Sequence, residues 1–184
     1  MSSLTKNRPW TAGELDRLPR GWRYEIDEGE LVILAPAGHR HARMVARITS
    51  VLETFCAVHQ GSEVDSGEVG VYLGTDPETL RGADIVYFSP ERAQQIAGDI
   101  GFVHVPPDLV VEVHDPPEPD IARKVQQYLA AGVRSVWVAD PAAQTLAMHR
   151  AAETPVVLSD PHALVADPVL PGFAVPLTKL FSRG

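Results

Sequence analysis

The chain has 184 residues, 45% of them hydrophobic and 22% charged, and its formal net charge is −8. This length fits a single domain, residues 1–184, with an N-terminal helical extension over about residues 1–22. The acidity argues against a nonspecific nucleic-acid coat protein, which needs a broad basic surface, but not against an enzyme that holds phosphates locally through a metal ion.

The sequence favours a cytoplasmic protein without membrane attachment. The single cysteine, Cys56, excludes an intrachain disulfide and a multi-cysteine zinc site, and it fits a reducing compartment. No apolar run approaches the ~20 residues that span a bilayer. The opening residues MSSLTKNRPW lack the apolar stretch of a secretory signal.

The first third of the chain predicts a helix, a hairpin and a longer helix. Residues 11–14, TAGE, match a capping box and predict a short helix over about residues 12–18. Residues 23–34, RYEIDEGELVIL, predict two strands around a tight turn at residues 28–29. From about residue 39 to 59, apolar residues recur at steps of three and four, as in an amphipathic helix: Met44, Ile48, Val51, Phe55 and Val58.

The remaining segments alternate strands and helices. Residues 63–73 predict one or two strands, residues 74–82 a loop and residues 83–88 a short strand, followed by a helix from Pro90 to about Ala97. Later segments predict a strand at 109–113, a helix that Asp120 caps and Gly132 ends, and strands at 135–139 and 145–149, before a tail of short strands. This order indicates a mixed α/β (α+β) fold with a central sheet flanked by helices and extra β-strands.

Two carboxylates fall in strand-like surroundings, Asp84 in ADIVYF and Glu112 in DLVVEV. A buried carboxylate must be paired, ligated or protonated. If the two strands are neighbours, Asp84 and Glu112 could converge on one divalent cation, and Mg²⁺ takes one or two carboxylates. The alternative is that each pairs with an arginine or caps backbone amides, which is the commoner outcome for an aspartate at a strand start. The mid-strand position of Glu112, which shares a face with Val110 and His114, favours a functional role.

Other polar residues have ordinary interpretations when they are considered alone. Lys124 lies at the edge of an apolar helical stripe, where a lysine usually extends to solvent, although it could reach Glu112 if the helix packs over the sheet. His41 is more often a hydrogen-bonded core residue than a ligand. The hairpin glutamates are most simply a solvated face: Glu25, Glu28 and Glu30.

The first half of the long helix is locally basic, with His39, Arg40, His41, Arg43 and Arg47. These side chains could meet a phosphate backbone or balance nearby acids. No Gly-rich nucleotide loop and no GxSxG motif is present, so nucleotide-dependent and serine-hydrolase activities lose their usual support.

Six fragments follow one another between about Arg23 and Phe181: RYEIDEGELV, Pro36 with His41, ADIVYFSPER, PPDLVVEV, DIARKVQQYLAAGVRSVWVADP and LPGF. Each is weak alone, but in this order and spacing they resemble the Uma-type restriction-endonuclease-like family of the PD-(D/E)XK nuclease superfamily. The resemblance implies a four-stranded core sheet flanked by helices, with Mg²⁺ or Mn²⁺ bound by carboxylates on adjacent strands.

The resemblance also assigns roles to residues. Asp84 and Glu112, with the Val113 carbonyl, would hold the metal, and Lys124 would assist the attacking water. Position 114, where the superfamily usually has its lysine, is a histidine here, so the lysine has moved to the following helix. Tyr128 matches a family tyrosine, and Glu30 and His41 match upstream acidic and histidine positions of the catalytic site. Glu30 would take a second metal ion or a water, and His41 would hydrogen-bond a ligand or the phosphate.

The resulting hypothesis is a metal-dependent endonuclease that hydrolyses phosphodiester bonds of nucleic acid, with DNA as the substrate. The alternative is a noncatalytic nuclease-fold module for binding or assembly, favoured by the net acidity and by Asp115 and Glu118 in the loop HDPPEP. A hydrolase of another phosphate ester is a third option. The β-rich C-terminal third offers strand edges through which a homodimer could form.

Overall fold

The chain folds into ten β-strands and four α-helices within the parts that the computed structural model describes, residues 7–98, 100–114, 120–165 and 168–181. A 3₁₀ helix, Ala12–Arg17, precedes them. The strands are β1 Arg23–Asp27, β2 Glu30–Leu34, β3 Glu63–Thr75, β4 Glu78–Phe88, β5 Leu109–Val113, β6 Ser135–Asp140, β7 Thr145–His149, β8 Val156–Leu158, β9 Ala163–Val165 and β10 Ala174–Pro176. The α-helices are α1 His39–Cys56, α2 Pro90–Ile96, α3 Ile121–Ala130 and α4 Leu177–Phe181.

Eight strands form one mixed sheet in the order β2-β1-β4-β5-β6-β7-β8, with β3 paired to β4 outside that path. Among the strands named above only β5 and β6 pair in parallel, and α3 lies between them in the chain, as a parallel crossover requires. Strands β9 and β10 form a separate pair. The predicted mixed α+β fold, with a large sheet flanked by helices, is confirmed.

The sheet divides along one edge of β4. Strand β3 pairs with β4 along nearly its whole length, so both β1 and β5 must share the opposite edge. The β1 side of that edge is paired at Ile26 and Leu80, and the β5 side from Ile85 onward. Residues 81–84 of β4 therefore lie between the two neighbouring strands, and we call this segment the fork.

Helices cover both faces of the sheet. On one face α1 buries Met44, Ile48, Leu52 and Phe55, at steps of four, four and three residues, against β4, β5 and β6. Helix α4 joins the same core. On the other face α3 packs Val125 and Tyr128 against β4, β5 and β6, together with Ala93 of α2.

Local signals explain where α3 starts and stops. Asp120 adopts a left-handed conformation at φ 70°, and its carboxylate accepts a hydrogen bond from the Arg123 amide at 3.3 Å. At the other end Gly132 has φ 97°, a conformation that glycine reaches without strain. The helix is therefore fixed in register over β5, which places its buried side chains against the fork.

Three sequence predictions need correction. Most of residues 74–82 is strand rather than loop. Only Asp76 and Pro77 form a turn, and β3 and β4 pair on either side of it up to Thr75 and Glu78. The predicted N-terminal helix is a 3₁₀ helix, Ala12–Arg17. The long helix ends at Cys56, so Val58, expected on its packed side, is 75% exposed.

Two further predictions concern membrane attachment and the N-terminal extension. None of the described helices is long and apolar enough to cross a membrane. Within the predicted N-terminal extension, Trp10 and Ala12 pack against Ile26 of β1 and Leu80 of β4. The extension is thereby part of the packing around the hairpin.

The burial of α1 can be tested by truncating one side chain. Ile48 is fully buried, so Ile48→Ala should lower the free energy of unfolding by about 2–5 kcal/mol, measured by urea denaturation. The matched control is Ile100→Ala, which deletes the same atoms from a fully exposed position and should change stability by less than about 0.5 kcal/mol. Equal losses in the two variants would contradict the packing described.

Candidate active site

Side chains, rather than a neighbouring strand, satisfy the backbone of the fork at Gly82. The Gly82 amide donates to Glu25 Oε1 at 3.0 Å, and the Gly82 carbonyl accepts from Lys124 Nζ at 2.8 Å. Buried backbone groups almost always find partners. The gap between β1 and β5 is therefore where charged side chains from β1 and α3 enter the sheet.

Lys124 is buried at the centre of this arrangement, with only 8% of its surface exposed. Its Nζ lies 3.0 Å from Glu25 Oε1 and 3.0 Å from Glu112 Oε2. Burial opposes the charged form, but the two carboxylates outweigh it and raise the pKa of Lys124 above its ordinary value. Of the two positions considered for Lys124, solvent or contact with Glu112, the structure has the contact with Glu112, because α3 packs over the sheet.

Glu112 is the last but one residue of β5, and both of its carboxylate oxygens accept hydrogen bonds. Oε1 accepts from the Tyr128 hydroxyl at 2.8 Å, and Oε2 accepts from Lys124. Burial raises the pKa of Glu112 to about 8; Lys124 opposes this rise, while Asp84 and Glu25 add to it. Burial and the adjacent Glu112 raise the pKa of Tyr128 well above its ordinary value. The hydroxyl therefore stays protonated and acts as the hydrogen-bond donor to Glu112.

Asp84 lies on the strand next to Glu112, as predicted. The antiparallel pairs Ile85–Val111 and Val86–Val110 place the two carboxylates at neighbouring positions on β4 and β5. Asp84 Oδ2 accepts from the Val113 amide at 2.7 Å and lies 3.1 Å from His41 Nε2. Asp84 thus accepts a hydrogen bond from a backbone amide, as in the alternative interpretation of this residue, and also lies beside His41 in the cluster.

His41 reaches Asp84 from the first turn of α1, and its role in the site stays a prediction. Its Nδ1 is buried and has no hydrogen-bond partner among the described residues. A buried polar atom without a partner costs about 1–3 kcal/mol. Such an atom marks a position where a ligand or water would be accepted.

Glu25 is the site residue that the sequence interpretation missed. It was grouped with Glu28 and Glu30 as a solvated face, yet it is only 3% exposed. Besides Lys124 it binds Arg81, whose Nη1 lies 3.0 Å from Glu25 Oε2. Glu28 and Glu30 are exposed, as the interpretation of the hairpin glutamates as a solvated face predicted.

A second layer of ionic contacts surrounds Glu25. Arg81 Nη2 lies 2.7 Å from Asp27 Oδ2, and Arg81 Nε donates to Gln127 Oε1 at 2.9 Å. Gln127 in turn donates to Asp27 Oδ1 at 2.7 Å, which ties α3 to β1. The sequence carries no signal for this layer, because the burial of Glu25 and Arg81 depends on β1 and β4 both lying inside the sheet.

Two other residues singled out from the sequence, Glu30 and His114, make no side-chain hydrogen bond or ion pair with Asp84 or Glu112 in the described part of the chain. Glu30 begins β2 on the sheet edge. His114 follows Glu112; its amide donates to the Ala139 carbonyl at 2.8 Å, and its buried Nδ1 has no described partner. The acidic loop residues Asp115 and Glu118 fall outside the described residues.

The residues present fit a hard divalent cation. Asp84 and Glu112 are carboxylates at neighbouring positions of paired strands, and burial first, then the charges of Asp84 and Glu25, raise the pKa of Glu112, so a bound cation would favour its ionised form. Mg²⁺ needs only one or two protein carboxylates, since water and substrate oxygens complete its coordination. Among the described residues no three acidic, histidine or cysteine side chains converge as a ready-made metal cluster. Asp84, Glu112 and the Val113 carbonyl would therefore form a partial set of ligands.

A mixed sheet flanked by helices, with an aspartate and a glutamate on paired strands and a buried lysine beside them, defines the restriction-endonuclease-like class. The chain belongs to the Uma2 family: residues 12–178 match the family model described as "Uma2: Putative restriction endonuclease". A crystal structure at 1.96 Å of a "putative nuclease belonging to DUF820" from Anabaena variabilis ATCC 29413 has a TM-score of 0.78 to this chain and is 22% identical. The match covers 95% of this chain and 98% of that one, and it shows the shared fold. No curated protein matches the sequence.

The buried hydrogen bond of Tyr128 can be tested in the metal-free protein. Tyr128→Phe leaves a buried Glu112 oxygen without its donor, so the free energy of unfolding should fall by about 1–3 kcal/mol, measured by urea denaturation in EDTA. The control is Tyr24→Phe, because the Tyr24 hydroxyl makes an exposed bond to the Pro19 carbonyl and its loss should change stability little. An equal effect at both positions would contradict the buried network.

Proposed function

We propose that the chain is a metal-dependent endonuclease that hydrolyses phosphodiester bonds of nucleic acid, with DNA as the substrate. The observation that carries this proposal is the meeting of Asp84, Glu112 and Lys124 in the fork, from three separate elements of the fold. Membership of the Uma2 family supports it. Pairing of two copies of the chain stays a prediction.

The proposed residues have distinct tasks. Asp84, Glu112 and the Val113 carbonyl would hold Mg²⁺ or Mn²⁺. Polarising a phosphoryl oxygen and activating water are the chemistry that such a cation supplies when bound. His41, whose Nε2 lies 3.1 Å from Asp84 Oδ2, would fix the orientation of that carboxylate, and its Nδ1 would contact water or phosphate.

Lys124 would orient the attacking water and stabilise the charge that develops on the phosphate. An ammonium has three N–H donors, and Gly82, Glu25 and Glu112 accept all three at present. One acceptor must therefore be exchanged for water or phosphate during the reaction. The water oxygen then bonds to phosphorus and the bond to the leaving oxygen breaks, while the protons released and taken up exchange with solvent.

Cleavage assays test the proposal. Supercoiled plasmid and single-stranded oligonucleotides should be cut with Mg²⁺ or Mn²⁺ and left intact in EDTA. Asp84→Asn, Glu112→Gln and Lys124→Met should each lower the rate by about 100-fold or more, because each removes an interaction with the reacting groups. The matched control Lys179→Met removes an exposed lysine of α4 and should keep the wild-type rate. Equal cleavage by all variants would show that the activity comes from elsewhere.

The closed hydrogen-bond network favours a second function, a noncatalytic module for binding or assembly. Both Glu112 oxygens and all three Lys124 donors are satisfied within the protein, as in a purely structural cluster. Calorimetric titration with Mn²⁺ separates the two functions. The nuclease should bind one Mn²⁺ per chain with a dissociation constant below about 1 mM, and Asp84→Asn should abolish the heat. No binding at millimolar Mn²⁺ would favour the module.

A further inference from the structure

A cavity of about 630 Å³ lies beside α1, outside the cluster just described. Its walls are one flank of α1, the turn that follows β6, and Phe181 of α4. Four of its lining side chains are basic: His39, Arg40, Arg43 and Arg47. None of the lining residues is acidic, which reverses the charge balance of a chain with a net charge of −8.

The basic side chains form a row on the helix. His39, Arg43 and Arg47 are spaced four residues apart, so they lie one turn above another on the same flank, and Arg40 projects next to them. The apolar face of α1, with Ile48 and Leu52, points to the core. The row is thus separate from the packed face and is free to meet a ligand.

The arginines of this row lack carboxylate partners within the described chain. Arg43 donates to His39 Nε2 at 2.8 Å and Arg47 to the Leu180 carbonyl at 3.0 Å, and neither forms an ion pair. Elsewhere most described arginines are paired with acids, among them Arg81, Arg92, Arg123 and Arg134. Asp140, the carboxylate at the cavity's edge, accepts the Ala142 and Ala143 amides. The sequence left open whether this basic segment balances acids or meets phosphate, and these contacts favour phosphate.

The cavity and the proposed catalytic cluster lie at the same edge of the sheet. Strands β5 and β6 are parallel and in register from Leu109–Ser135 to Val113–Ala139, so both end at that edge. Asp84 is level with Glu112, which pairs with Val138, so the turn that starts at Pro141 lies two strand spacings across and three residues further along, roughly 14 Å away. The first turn of α1 also joins them, because His41 contacts Asp84 while Arg40 lines the cavity.

We infer that this cavity binds the phosphodiester backbone of the nucleic-acid substrate, next to the bond that is hydrolysed. The inference rests on the proposed function. Roughly 14 Å corresponds to about four nucleotide rises of ~3.4 Å, a distance that one continuous strand spans. Unpaired guanidinium groups suit this ligand because their planar N–H donors match phosphate oxygens.

Binding of labelled oligonucleotides in EDTA tests the inference without any cleavage. Fluorescence anisotropy with a single strand and with its duplex is measured over a range of salt concentrations. Arg40→Gln/Arg43→Gln should weaken binding at least about tenfold and reduce the slope of log K against log salt by about 1.4–1.8, as expected for two lost phosphate contacts. In cleavage assays the same variant should raise KM more than it lowers kcat.

The matched control is Arg17→Gln/Arg20→Gln, which removes the same charge from two exposed arginines near the N-terminus. It should leave the affinity within about twofold of the wild type. Equal losses in both double variants, or none in either, would overturn the inference. Metal-dependent cleavage without cavity-dependent binding would overturn the inference alone, whereas cavity-dependent binding without cleavage would overturn only the proposed hydrolysis.

Discussion

The site depends on the contacts of the buried Lys124 ammonium with Glu25, Glu112 and Gly82. A lysine charge placed inside a protein needs close partners, because transfer from water costs several kcal/mol per ion. Glu25 and Glu112, each 3.0 Å away, and the Gly82 carbonyl provide them. Each partner is itself fixed by the sheet, so the position of the lysine follows from the pairing of β1, β4 and β5.

The fork in the sheet is what makes room for this charge. Where a strand of a continuous sheet would be paired on both sides, Gly82 and its neighbours face a gap between β1 and β5. Side chains complete the hydrogen bonds there, and carboxylates that would be excluded from a sheet interior are stabilised by their neighbours. The charges and the irregular pairing therefore depend on each other, and the same surroundings keep Asp84 and Glu112 adjacent.

Most of the sheet and helix order could be predicted from apolar periodicity, and the Asp84–Glu112 pair from carboxylates inside strand patterns. Glu25 could not, because its burial depends on β1 lying beside β4 rather than on anything in the hairpin sequence. Arg81 was hidden for a related reason: GTDPETLRG contains Gly, Pro and charged residues typical of a loop, yet pairing with β3 makes most of it strand. The place of Lys124 at the edge of an apolar helical stripe favoured a solvent-exposed side chain, whereas the family resemblance predicted that it lies in the site.

The attachment of the N-terminal hairpin has a consequence for motion. Strand β1 joins β4 through one register pair, Ile26–Leu80, and the hairpin turn adds one backbone bond, from the Gly29 amide to the Glu78 carbonyl at 2.8 Å. The other contacts are made by side chains such as Arg81 and Gln127. Elements held by few backbone bonds open with less free energy than the whole domain. Each opening of this hairpin would take Glu25 away from Lys124 and let water reach the ammonium. The lifetime of the intact site is then governed by local opening of the hairpin, and its amide protons would exchange with solvent sooner than those of β5 and β6.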